Sequence, residues 1–95
     1  MSRILLVEDN EDDIALTLRA LERNNLKGQV AVVRDGKEAL DFLFCQGAYS
    51  NRDPHRMPDL ILLDLNLPRM GGHEVLQQLR SDERSRFLKI GRAHV

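Results

Sequence analysis

Two runs of four consecutive aliphatic residues, Ile4-Leu5-Leu6-Val7 and Leu60-Ile61-Leu62-Leu63, contain no polar position. A strand with one wet face alternates apolar and polar residues, whereas an unbroken run suits a parallel strand covered on both faces. Val30-Ala31-Val32-Val33 has the same character. Between the first run and this one, residues 12–24 repeat at helical spacing. Ile14, Leu18 and Leu21 form one stripe, and Leu16 and Ala20 widen its arc. Gly28 is expected to end the following turn. Asp35 with Glu38 three residues on reads as a capping box, opening a second helix whose stripe is Ala39, Leu40, Leu43 and Phe44. Residues 47–58 read as a long polar loop, because Asp53-Pro54 and Met57-Pro58 exclude helix and central strand. A third helix over residues 73–80 buries Val75, Leu76 and Leu79. Strands separated by helices in this way predict an α/β fold, a parallel sheet with right-handed crossovers placing helices on both faces.

The first run stops at Glu8 and Asp9, and the Leu60 run stops at Asp64. Ligands in open parallel sheets bind beyond the carboxyl ends of the strands, so the three acids converge if the two strands are neighbours. Convergent carboxylates suit a hard cation such as Mg2+, which relieves the repulsion between them. Acids at a strand-to-helix corner can instead cap the helix and complement its dipole, which is the role expected of Asp12 and Asp13. For Glu8 and Asp9 taken alone both readings stand. Asp64 favours the metal: it follows its run without a turn residue and precedes Leu65-Asn66-Leu67-Pro68, a poor helix start.

With 95 residues, 42% hydrophobic and 31% charged, the chain has room for one small domain. A net charge of -1 gives no reason to expect a nucleic-acid partner. Charge is uneven, with acids crowded over residues 8–13 and arginines over 80–92, which reads as a solvated face. Cys45 is the single cysteine, so an internal disulfide is excluded and a packing or surface role is expected. His55, His73 and His94 lack metal-ligand spacing. No stretch has membrane length, and the first apolar run is too short for a signal peptide, so a cytoplasmic location is expected.

Three motifs, ILLVEDNEDD at 4–13, RDGKEAL at 34–40 and DLILLDLNLPRMGG at 59–72, resemble the receiver domain of two-component response regulators. The chain looks most like stand-alone receivers with a lengthened connection into the third strand, which partner phytochrome-type sensor kinases. The resemblance runs from Arg3 to about Lys89. It implies a flavodoxin-like, doubly wound sheet of order 2-1-3-4-5. It further implies that Asp64 takes a phosphoryl group from a histidine kinase or a phosphotransfer protein, as an acyl phosphate. Mg2+ would be held by Glu8, Asp9, Asp64 and the backbone carbonyl of Asn66, while Pro68, Gly71 and Gly72 shape the loop, in which Met70 is a further motif position. The family signals rather than turning over a substrate, and catalyses only its own phosphorylation and dephosphorylation.

The chain departs from that pattern near its end. A complete receiver adds a fourth strand ending in Ser or Thr, a fifth ending in Lys, and two more helices. The only threonine, Thr17, lies in the first helix, and none of Lys27, Lys37 and Lys89 follows a fifth strand. The expected fold therefore stops after the third helix, with strand order 2-1-3, strands four and five missing, and the Leu60 strand an open edge. The ending IGRAHV is what read-through of a sequencing adapter would encode. Residues 1–89 are accordingly expected to be a partial receiver and 90–95 a non-native tail, the whole being poorly stable and impaired in signalling. Two other functions use a similar strand-end aspartate or fold. A phosphatase of the haloacid-dehalogenase kind needs a second acid two residues after the nucleophile, where Asn66 stands. A pseudo-receiver, a binding module that is never phosphorylated, fits the missing Lys and Thr.

Overall fold

In the computed structural model, which describes residues 3–25, 29–64, 67 and 71–92, one sheet holds four parallel strands. These are β1 (Arg3–Val7), β2 (Gln29–Val33), β3 (Leu60–Leu63) and β4 (Lys89–Arg92), in the order β2-β1-β3-β4. Helices α1 (Glu11–Arg23), α2 (Gly36–Leu43) and α3 (Gly72–Ser81) connect them, with one 3-10 turn at Gly47–Tyr49. The flavodoxin-like arrangement expected of the sequence is present. β1 is central: Leu5 lies opposite Ala31 on one side and Ile61 on the other. Its position accounts for the unbroken apolar run, since both of its faces are covered.

The two faces are covered unequally. Leu5, Val7, Val33, Ile61 and Leu63 pack with Ala39, Leu40 and Leu43 of α2 and with Val75 and Leu79 of α3. Strand alternation sends Ile4 and Leu6 to the opposite face, where Ile14 and Leu21 of α1 are buried. A single helix cannot cover four strands, so Leu60 and Leu62 stay half-buried while Ile61 and Leu63 are sealed. For the same reason Leu18, expected in the buried stripe, is 36% exposed. Leu76 of α3 is likewise half-buried.

The expectation that strand four is missing is overturned. Lys89–Arg92 pairs with β3 in parallel register, Ile61 opposite Ile90 and Leu62 opposite Gly91. The outer edge of β3 is therefore paired, and β4 is the last strand on that side among the described residues. The family pattern places an apolar run here, but an edge strand needs only a free backbone ladder to join, and β4 is exposed at both ends. Gly91 suits the position because a Cβ there would lie 3.3 Å from Leu62 Cδ2. Arg80 fixes the approach to β4 by donating from Nη1 to the carbonyls of Arg86 at 2.7 Å and Leu88 at 2.9 Å. Gly28 and residues 93–95 lie outside the described residues.

Helix ends follow the polar signals, with two shifts. Asn10 Oδ1 accepts the Asp13 N–H at 3.0 Å and caps α1. Asp12 and Asp13 thus sit inside the first turn with Glu11, complementing the dipole instead of capping. Asp35 caps α2 by accepting the Glu38 N–H at 2.8 Å. Glu38 reaches back to the N–H of Arg34 at 2.8 Å, one residue before the cap.

The connection from α2 to β3 is polar, as expected, yet tied down. Arg52 donates to the carbonyls of Phe42 and Arg56 and lies 3.9 Å from the centre of the Phe42 ring. Tyr49 meets the same ring edge-on, and its hydroxyl donates to Glu38 Oε2 at 2.7 Å. Burial and the Glu38 carboxylate push the Tyr49 hydroxyl up to about 12, so it stays a donor. Cys45 is half-buried at the end of α2, its sulfur 3.5 Å from Arg52 Nη1.

Candidate functional site

The strand ladders continue one residue past β1 and β3, and this brings the acids together. The Glu8 N–H donates to the Val33 carbonyl at 2.9 Å, and the Asp64 N–H donates to the Val7 carbonyl at 3.1 Å. Glu8 and Asp64 thereby leave neighbouring strands at the same level. Carboxylate oxygens of Glu8, Asp9 and Asp64 all lie within 4.8 Å of one another, the only such group of three metal-ligating side chains among the described residues. Glu8 is 2% exposed, Asp64 is half-buried and Asp9 faces solvent.

Glu8 Oε2 accepts the N–H groups of Asp9 at 3.1 Å and Asn10 at 3.3 Å. Its acidity is nevertheless weakened. Burial, then a side-chain hydrogen bond to Asp64 and the charge of Asp64, raise Glu8 from 4.5 to about 7 against the lowering effect of the Asn10 N–H. Glu8 therefore keeps its proton at mildly acidic pH, because a buried carboxylate beside another acid ionises at a cost. The donor set fits a divalent cation on this ground: its ligands are hard oxygens, and the positive charge it brings is what the sealed carboxylate lacks.

The other expected site residues divide. Asn66, Pro68 and Met70 lie outside the described residues. Gly71 caps α3 at φ -64, and a Cβ on it would meet nothing within 4 Å, so the described backbone does not demand glycine there. His55 and His73 are exposed. Sequence reasoning missed Asn10, which caps α1 while its N–H helps hold Glu8. An asparagine just ahead of three acids and an apolar stripe is an N-cap signal that could have found it. It also missed the ion pair of Arg34 with Glu11, both largely exposed, which ties the start of α1 to the end of β2. No local pattern announces a pair 23 residues apart.

Among the described residues no helix is long and apolar enough to cross a membrane. Residues 4–90 match the response regulator receiver domain. Response regulator Rcp1 of Synechocystis sp. is 42% identical over 79 residues, spanning 83% of this chain and 52% of Rcp1. Among solved structures, the bacteriophytochrome response regulator RtBRR is 49% identical with a TM-score of 0.89, covering 95% of this chain and 54% of that one. The phosphorylated cyanobacterial phytochrome response regulator RcpA is 44% identical with a TM-score of 0.83, covering 94% and 61%. The Mn(2+)-bound form of response regulator Rcp1 is 37% identical with a TM-score of 0.85, covering 95% and 63%. The chain spans about half the length of the curated relatives it matches. With a family match over nearly all its residues, a shared fold and this acid-lined strand end, the chain belongs to the response regulator receiver domain family and is related to phytochrome response regulators.

Proposed function

We propose that Asp64 accepts a phosphoryl group from a histidine kinase or a phosphotransfer protein, with Mg2+ held by Glu8, Asp9, Asp64 and the backbone carbonyl of Asn66. The observation that carries this reading is the meeting of three carboxylates within 4.8 Å at the ends of β1 and β3. An Asp64 oxygen forms a bond to phosphorus as the bond to the donor's leaving group breaks, leaving an acyl phosphate; an ionised carboxylate needs no adjacent base for this. When bound, Mg2+ supplies charge neutralisation on the transferred oxygens. The chain's own groups do the positioning. The two ladder bonds set Glu8 and Asp64 side by side, and the N–H groups of Asp9 and Asn10 hold the Glu8 carboxyl. RcpA, described as phosphorylated, and Rcp1, described as Mn(2+)-bound, support this chemistry, and such relatives favour a kinase of the phytochrome type in the cytoplasm.

A second reading rests on β4, which ends in Gly91 and Arg92 where the family places Ser or Thr. The missing hydroxyl favours a pseudo-receiver that binds without being phosphorylated. The division into a partial receiver over 1–89 and a non-native tail over 90–95 rests on the string IGRAHV, and reading through the 3′ end of the gene tests it. For the phosphoacceptor itself, the chain is incubated with Mg2+ and acetyl phosphate and its intact mass measured. One added phosphoryl group, lost on chelation and in Asp64→Ala, is expected. An adduct that survives Asp64→Ala sinks the assignment.

A further inference from the structure

At the amino ends of β1 and β2, away from the acids, the α2-to-β3 connection closes one side of a cavity of about 460 Å3. Ala31, on the α2 face of the sheet, together with Phe42 and Pro58 gives it apolar surface, and Arg3, Arg52 and Arg56 stand around it. The one carboxylate in the lining, Asp53, already accepts the His55 N–H at 2.9 Å. Arg52 is fixed by the carbonyls of Phe42 and Arg56. The side chains of Arg3 and Arg56 have no hydrogen bond or ion pair among the described residues. A chain of net charge -1 thus gathers three arginines around this hollow, whose one lining carboxylate is engaged, while nearby Asp59 is held by the Arg3 N–H. A concave, mainly apolar volume of several hundred Å3 with a few placed polar groups is the usual form of a small-ligand site. Guanidinium groups match carboxylate, sulfonate or phosphate through paired charge-assisted hydrogen bonds.

We propose that this cavity binds a small organic anion, its apolar body against Ala31, Phe42 and Pro58 and its anionic group taken by Arg3 and Arg56. The site is independent of the phosphoacceptor, since it lies at the opposite end of the strands. The test uses naphthalene sulfonate and its uncharged counterpart naphthyl methanol, titrated into the full chain and followed by calorimetry and amide chemical shifts. Saturable binding of the sulfonate is expected, with shifts centred on Arg3, Ala31 and Arg52, and affinity about tenfold above that of the alcohol. Arg3→Gln and Arg56→Gln are each expected to lower sulfonate affinity about tenfold while leaving the melting temperature unchanged, because neither side chain holds the fold. Ala31→Leu, which fills the cavity, is expected to abolish binding. Equal affinity for the two probes, or sulfonate affinity unchanged in Arg56→Gln, overturns the proposal. So does a dimer of the unliganded chain that Arg56→Gln dissolves, which would give the cavity to a second copy.

Discussion

Where β1 and β3 begin, polar groups are matched: the Arg3 N–H donates to Asp59 Oδ2 at 2.8 Å and the Asp59 N–H returns to the Arg3 carbonyl at 2.8 Å. Nearby, Arg52 spans two carbonyls and stacks on Phe42, holding the long connection against α2. Where the same strands end, three carboxylates crowd within 4.8 Å, and the folded chain keeps a proton on Glu8 up to about pH 7. The first end stabilises the fold without help. The second opposes it unless a proton or a cation intervenes, which is the price of a binding site made of like charges.

The sharpest way to break this comparison is pH. Folding raises Glu8 from 4.5 to about 7, so the folded state favours the protonated form. Its contribution is complete below about 4.5, declines as pH rises, and is gone above about 7. The chelated protein is expected to lose up to about 3 kcal/mol of stability between these limits, at 1.36 kcal/mol per unit. Glu8→Gln should flatten this dependence, and Mg2+ should restore stability above pH 7 in the parent. Urea unfolding at several pH values with chelator reads both. Equal slopes in parent and Glu8→Gln would remove Glu8 as the cause.

The amino end is broken by Arg52→Ala, which deletes two hydrogen bonds to carbonyls and the stacking on Phe42. A loss of about 2 kcal/mol is expected, with the Mg2+ response intact because the acids lie at the other end. Thermal melting with and without Mg2+ separates the two effects. A loss of Mg2+ response would show that the ends are coupled.

Asp9→Asn sharpens the comparison at the acid end. Removing one of the three charges relieves repulsion, so the chelated protein should gain roughly 1 kcal/mol and melt about 4 to 8 °C higher, while the stabilisation by Mg2+ falls. An unchanged Mg2+ response in this variant would return Asp9 to helix-dipole duty.

Much of this contrast is legible in the sequence, and the illegible parts share a cause. The runs at Ile4 and Leu60 announce buried parallel strands, and the acids that stop them announce a site, because both signals are local and one-dimensional. The capping box at Asp35 and Glu38 is local too. β4 was hidden because its pairing with β3 is a backbone property, needing Gly91 near Leu62 and no apolar run. Leu18 was misplaced because its exposure depends on how many helices share the α1 face, which periodicity does not encode. Arg52 carried no signal at all: its partners Phe42 and Arg56 meet it only after the connection has folded back.

The smallest expected effect lies in the connection that Arg52 holds. Cys45 follows the last turn of α2 at φ +55, a left-handed conformation that an L side chain adopts at a cost, and the Gln46 N–H closes the helix on the Asp41 carbonyl at 2.8 Å. Cys45→Gly removes the steric cost but adds chain entropy to the unfolded state and gives up the sulfur contact with Arg52. The balance should be a gain of about 0.5 kcal/mol. Cys45→Val, branched at Cβ and forced into the same conformation, should lose about 1 kcal/mol or more. Paired melts of the two variants read the difference. If both melt with the parent, the turn relaxes when substituted, and the amino end owes its stability to Arg52 rather than to the backbone of this turn.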